Sequence, residues 1–253
     1  MNILEKILNV KRQEIQQIKD LEFGELVYQT RSLKDALSKP GISVIAEIKM
    51  KSPSEGEIFP NADPAHIAKG YESAGAEAIS VLTDQSFFGG SLDILNSVRN
   101  AVSIPVIRKD FIIDQKQISE TIHYNGDAFL LIADALDQDS LQQLMNIGKM
   151  AGLEFLVEYH AEKHAEFIFA LNPEIVGINC RNLKTMATDI TYFEKMISSL
   201  PSNSVKVAES GIHTSDDLEY VSDLGYDAAL IGTSLMKTGN PEKALETLLG
   251  NIS

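Results

Sequence analysis

Along residues 2–19 the apolar positions Ile3, Ile7, Leu8, Ile15 and Ile18 recur at helical spacing, which predicts an amphipathic helix with a charged back. A short second helix is predicted over Ser32–Leu37, capped by Ser32 and ended by Pro40-Gly41. After that the pattern changes. Short apolar runs recur at 43–48, 78–82, 105–108, 128–132, 153–158, 175–179, 205–208 and 228–231, and each reads as a strand. Helical patterns lie between them, with starts at Asp63-Pro64, Ser91, Asp114 and Thr214, the last closing on Gly225. Eight strand–helix units without a linker predict an α/β fold, a (β/α)8 TIM barrel over 41–253. A helical N-terminal extension over 1–40 belongs to the same single domain. A doubly wound open sheet is the alternative.

One strand carries charge where a buried run should not. In "VIAEIKMKSPSEG", residues 44–56, Glu47 and Lys49 share a face with Ile45, while Val44, Ala46 and Ile48 share the other. A structural ion pair is the bland explanation, yet burying such a pair costs about as much as its attraction returns. The other explanation is a site.

Composition narrows the class. Of 253 residues, 44% are hydrophobic and 23% charged, a globular balance with enough apolar material for a sizeable core. A net charge of −14 argues against nucleic acid and anionic membranes as partners, and an anionic substrate would need locally clustered cations. Cys180, the lone cysteine, excludes an internal disulfide and suits a reducing compartment. No segment has signal-peptide character or the roughly 20 apolar residues of a membrane span, so a cytoplasmic protein is expected.

In a TIM barrel the chemistry sits where strands end in the C-terminal direction. Those ends carry Glu47 and Lys49 with Ser52-Pro53-Ser54, then Arg108-Lys109-Asp110-Phe111, Glu158, Asn179 with Arg181, Glu209-Ser210-Gly211, and Gly232-Thr233-Ser234. The loop after the second strand adds "FFGGS" at 87–91. Singly each has a dull explanation. The cations suit a solvated rim, Glu158 a helix cap, Asn179 a turn, and Phe88 and Phe111 a plug. Together they place three cations, Lys49, Lys109 and Arg181, and three carboxylates, Glu47, Glu158 and Glu209, at one mouth. Gly211, Gly232 and Thr233 stand where such barrels bind phosphate through backbone N–H groups. Lysines crowded beside other cations should have lowered proton affinity, which suits a general acid. The five histidines, His66, His123, His160, His164 and His213, fall in helices or helix starts. None pairs at a metal-ligand spacing, so no metal is expected.

These residues resemble the indole-3-glycerol-phosphate synthase family. The likeness runs from "VIAEIKMKSPSEG" through "VLTDQSFFGGSLDIL", "VIRKDFIID", "FLVEYH", "GINCRNLKT" and "VAESGI" to "ALIGTSLM", and the N-terminal helices are similar to the family's extension. Short pieces such as "ESGI" discriminate poorly, whereas Glu-x-Lys-x-x-Ser-Pro-Ser combined with Arg-Lys-Asp-Phe is specific. The resemblance implies ring closure, decarboxylation and dehydration of 1-(o-carboxyphenylamino)-1-deoxyribulose 5-phosphate, a carbon–carbon lyase reaction of tryptophan biosynthesis, with no cofactor. It makes Lys109 the acid for ring closure and Glu158 the base in dehydration, with Glu47 and Lys49 completing the network. Lys49 would reach the phosphate or serve as the dehydrating acid. Asn179, Arg181 and Glu209 would hold the sugar hydroxyls, and Ser52 the anthranilate carboxylate. Phe88 and Phe111 would enclose the ring, with Pro53, Leu130 and Leu183 beside the substrate. Ser210, Gly211, Leu230, Gly232 and Thr233 would hold phosphate.

Two departures are small. Cys180 stands where a small polar residue is expected, and Ser234 competes with Thr233 for the phosphate. A monomer or weak oligomer acting on a small phosphorylated molecule is expected. Another cofactor-free isomerase on the same scaffold, or a phosphate-ligand sensor without chemistry, are the competing readings.

Overall fold

The computed structural model describes residues 2–18, 28–182 and 185–250. Eight parallel strands, β1 Ser43–Ile48, β2 Ala78–Leu82, β3 Val106–Lys109, β4 Ala128–Ile132, β5 Glu154–Tyr159, β6 Ile175–Asn179, β7 Val205–Glu209 and β8 Ala228–Ile231, close into a barrel. Each pairs with its successor, and β8 returns to β1 with Ser43 opposite Ala228 and Ala46 opposite Ile231. Closure removes the open-sheet alternative. It also pairs every strand on both edges, while helices outside and side chains inside cover both faces, which is why the runs are apolar.

Two helices precede the barrel, α1 Ile3–Gln17 and α2 Leu33–Leu37. The last residue of the predicted first helix, 19, lies outside the described residues. The others are α3 Pro64–Ser73, α4 Gln85–Phe88, α5 Leu92–Ala101, α6 Gln115–His123, α7 Gln138–Met150, α8 Ala165–Leu171, α9 Tyr192–Met196, α10 Ser215–Asp223, α11 Thr233–Met236 and α12 Pro241–Gly250. Their starts follow side-chain chemistry. Asp63 accepts from the N–H groups of Ala65 and His66, Ser91 from Ile94, and Asp114 and Thr214 each form a reciprocal capping box.

The pleat sorts the core into two shells. Val44, Ala46 and Ile48 pack outward with Tyr71, Val81 and Phe129 against the helices. Ile45, Ala78, Ile107, Leu130, Leu156, Val207 and Leu230 fill the barrel. The N-terminal helices serve opposite ends. Leu33 and Leu37 of α2 plug the barrel's floor, and Ser32 Oγ and the Lys34 N–H donate to Glu154 at the start of β5. Leu4, Ile7 and Leu8 of α1 instead pack with Phe111, Phe87 and Phe88. There the buried Lys11 ammonium lies 3.0 Å from Asp84 and 2.9 Å from Asp110, just beyond β2 and β3. Burial alone would favour the neutral amine, but Asp110, Asp84 and Glu14 hold Lys11 above the ordinary lysine range. Among the described residues no helix is long and apolar enough to cross a membrane.

Candidate active site

The last inward position of five strands is polar: Glu47 on β1, Lys109 on β3, Glu158 on β5, Asn179 on β6 and Glu209 on β7. Alternation dictates the direction, because Ile107 and Leu156, two residues earlier, lie in the barrel interior. Arg108 faces the other way. Its guanidinium donates to the Gln117 carbonyl, Asp110 and Glu120, tying β3 to α6, so it is no cation of the mouth.

Lys109 Nζ sits among three buried carboxylates, 2.7 Å from Glu209, 3.3 Å from Glu158 and 3.9 Å from Glu47. This corrects the expectation of a lysine with lowered proton affinity. Burial does act in that direction, but Glu209, Glu158 and Glu47 outweigh it and hold Lys109 above the ordinary range. The perturbed acid is Glu209, pushed up to about 8 by burial and by Glu158 against the pull of Lys109. Burial would raise Glu47 too. Lys49 at 2.6 Å, then Lys109 and Arg181, leave it below the usual carboxylate range. Glu158 caps no helix. Its Oε1 accepts from the Asn179 side-chain amide at 2.8 Å.

Two glycines make room for these acids. A Cβ at Gly177 would meet Glu209 Oε1 at 2.3 Å, and one at Gly232 would meet Glu47 Oε1 at 2.5 Å. Glu47 and Lys49 are thus side by side at the mouth.

The remaining predicted residues surround the same cleft, which encloses roughly 990 Å³ with the solvent at its entrance included. Ser52 and Pro53 belong to a small hairpin beyond β1, where Lys51–Ser52 pairs with Gly56–Glu57. Phe88 and Phe111 stand with ring centroids 6.3 Å apart on one side, near Leu130. Arg181 enters from beyond β6. Leu183 lies outside the described residues. Opposite the aromatic pair, Ser210 and Gly211 take consecutive left-handed conformations, φ 71° and 74°, beside Leu230, Gly232 and Thr233. Ser210 is not a glycine, and such a conformation costs energy that surrounding structure must offset. Ser234 Oγ donates to the Ile212 carbonyl.

The wall also uses Leu82, Ile132, Met186, Ile212 and His213, which sequence reasoning missed. Ile132 was legible as the next inward residue after Leu130; Met186, in a left-handed turn at φ 62°, had no such signal. Cys180 faces away into the outer shell, its thiol pushed up to about 12 by burial. His160 begins no helix; it occupies the turn after β5, its ring stacked on Tyr192.

The arrangement offers a charged ammonium among three carboxylates, a pair of aromatic rings and, across the cleft, the left-handed Ser210-Gly211 turn. A family model for indole-3-glycerol phosphate synthase matches residues 4–248. An indole-3-glycerol phosphate synthase of Halalkalibacterium halodurans is 43% identical over 98% of this chain and 97% of its own length. One from a Geobacillus species is 45% identical over 99% of this chain and 98% of its own. Among solved structures, a thiamine phosphate pyrophosphorylase from Pyrococcus furiosus superposes with a TM-score of 0.63 at 14% identity, covering 87% of this chain and 96% of that one. A tryptophan synthase complex from the same organism gives 0.60 at 12%, covering 83% and 98%. These two show the barrel fold alone.

Proposed function

The chain belongs to the indole-3-glycerol phosphate synthase family, and from that premise we propose which residues of its barrel mouth carry the reaction. The protein is a carboxy-lyase of tryptophan biosynthesis acting on a small phosphorylated substrate. In our reading Phe88 and Phe111 enclose the substrate's anthranilate ring from one side, with Pro53 and Leu130 beside it and Ser52 at its carboxylate. Its phosphate rests on Ser210, Gly211, Leu230, Gly232 and Thr233. Thr233 is preferred to Ser234 because the Ser234 hydroxyl is already bonded. Anchoring both ends folds the ribulose chain so that the ring carbon meets the carbonyl, converting a floppy encounter into a near-attack geometry.

The observation that carries the allocation is Lys109, one ammonium held charged by three carboxylates at the centre of the mouth. As the ring carbon bonds to the carbonyl carbon, electrons move to the carbonyl oxygen, which becomes basic enough to take the Lys109 proton. The carboxylate then leaves as carbon dioxide, and its bonding pair restores the aromatic ring. Glu158 takes the proton whose loss completes dehydration, while Lys49, paired to Glu47, protonates the departing hydroxyl. Asn179, Arg181 and Glu209 hold the sugar hydroxyls. Neither metal nor organic cofactor enters any step.

The same reading treats the chain as one domain, an N-terminal extension over 1–40 whose helices α1 and α2 pack at opposite ends of a 41–253 barrel. It places the enzyme in the cytoplasm as a monomer or weak oligomer, supported by the lone, unpaired cysteine and by a charge of −14 that repels copies.

The test is indole fluorescence on mixing with the carboxyphenylamino-deoxyribulose phosphate in chelator, since the chain has no Trp to mask the product. Parent protein should produce emission at a rate proportional to enzyme. Lys109→Ala should bind substrate yet turn over about 10²-fold more slowly or worse. Parental turnover in that variant would remove Lys109 from the chemistry.

A further inference from the structure

The ladder between β5 and β6 ends at Tyr159 opposite Ile178, one residue short of Asn179. It ends because the next backbone donors turn elsewhere: the N–H groups of His160 and Ala161 donate to the Asp134 carboxylate at 2.7 and 3.2 Å. That leaves the Asn179 carbonyl without the ladder bond a longer β5 would supply. The His160 ring supplies it, with Nδ1 2.8 Å from the Asn179 carbonyl oxygen. A carbonyl only accepts, so Nδ1 carries the proton and the tautomer follows. The ring itself is pinned, stacked on Tyr192 at 4.9 Å between centroids, while the Tyr192 hydroxyl donates to the His160 carbonyl.

Asn179 passes this constraint to the chemistry. Its side-chain amide donates to Glu158 Oε1 at 2.8 Å, and its Oδ1 accepts the Arg181 N–H at 3.0 Å. We propose that His160 is a positioning residue of the active site: its Nδ1–H anchors the Asn179 backbone, so that the Asn179 amide holds Glu158 in the orientation its proton transfer needs. The inference rests on the assignment of Glu158 as the base. A supporting residue of this kind acts on turnover more than on affinity, because it aims a reacting group without touching the substrate.

The positional chemistry of amides tests it. In His160→Asn the amide nitrogen falls where Nδ1 stood; in His160→Gln it falls where Nε2 stood. Both variants are polar and of similar bulk. His160→Asn should keep kcat within about 3-fold of the parent, and His160→Gln should lose roughly 10-fold or more, with KM within about 2-fold in both. Equal kcat values for the two variants, high or low, would overturn the anchor. Glu158→Gln assayed alongside separates the two failures. Parental turnover there overturns the base assignment and the inference with it. Collapsed turnover there, with equal Asn and Gln variants at 160, overturns His160 alone.

Discussion

Gly177 and Glu209 occupy one space: Glu209 Oε1, buried and without a hydrogen-bond partner, lies where a Cβ on Gly177 would approach to 2.3 Å. Gly177→Ala should therefore push the carboxylate off Lys109 and cut kcat/KM by about 10-fold or more, with the far-UV circular dichroism of the parent. Unchanged kcat/KM would mean that Glu209 swings aside at no cost.

Glu209 also sets a pH dependence. Its folded value of about 8 stands above the 4.5 of an ordinary glutamate. Between those limits the folded chain keeps a proton the unfolded chain has released. Its contribution to stability is fully present below about pH 4.5 and is lost as pH rises through 8. Glu209→Gln has no such proton. The variant's melting temperature minus the parent's should grow more positive from pH 5 to pH 8 and then level off. A pH-independent difference contradicts the shift.

Lys11 is the cation between two buried acids. Lys11→Met would take that cation from Asp84 and leave Asp110 with Arg108, 3.1 Å away, as its remaining cation. Removing one partner of a buried ion pair costs about 3–5 kcal/mol, so the urea midpoint should fall accordingly. Adding Asp84→Asn should recover part of that loss. If Lys11→Met alone leaves the midpoint unmoved, water is already reaching the pair.

The fold was legible because eight short apolar runs alternate with helical patterns. Ile45-Glu47 and Ile107-Lys109 showed their inward direction through period two alone, and capping residues such as Asp63 and Thr214 marked where helices begin. For Glu47, Lys109 and Glu158 the place at the mouth followed from the same alternation. Its electrostatics did not. Lys109 meets Glu158 and Glu209 from strands 49 and 100 residues away in sequence, and the sign of its shift depends on those distances across the barrel. His160 looked like a helix start because "HAEKHAEF" has helical composition. Nothing in that string shows that Asp134 diverts the backbone N–H groups of His160 and Ala161.

Pairing of Ser43–Ala46 with Ala228–Ile231 sets a clock on biosynthesis. The partner of β1's second edge is translated about 190 residues after β1 itself, which at cellular elongation rates takes roughly 10–40 s. Throughout that interval the nascent sheet grows with an open edge at each side, the arrangement most prone to pair with another chain. For this protein, the emergence of Ala228–Ile231 decides when the risk of misassembly ends.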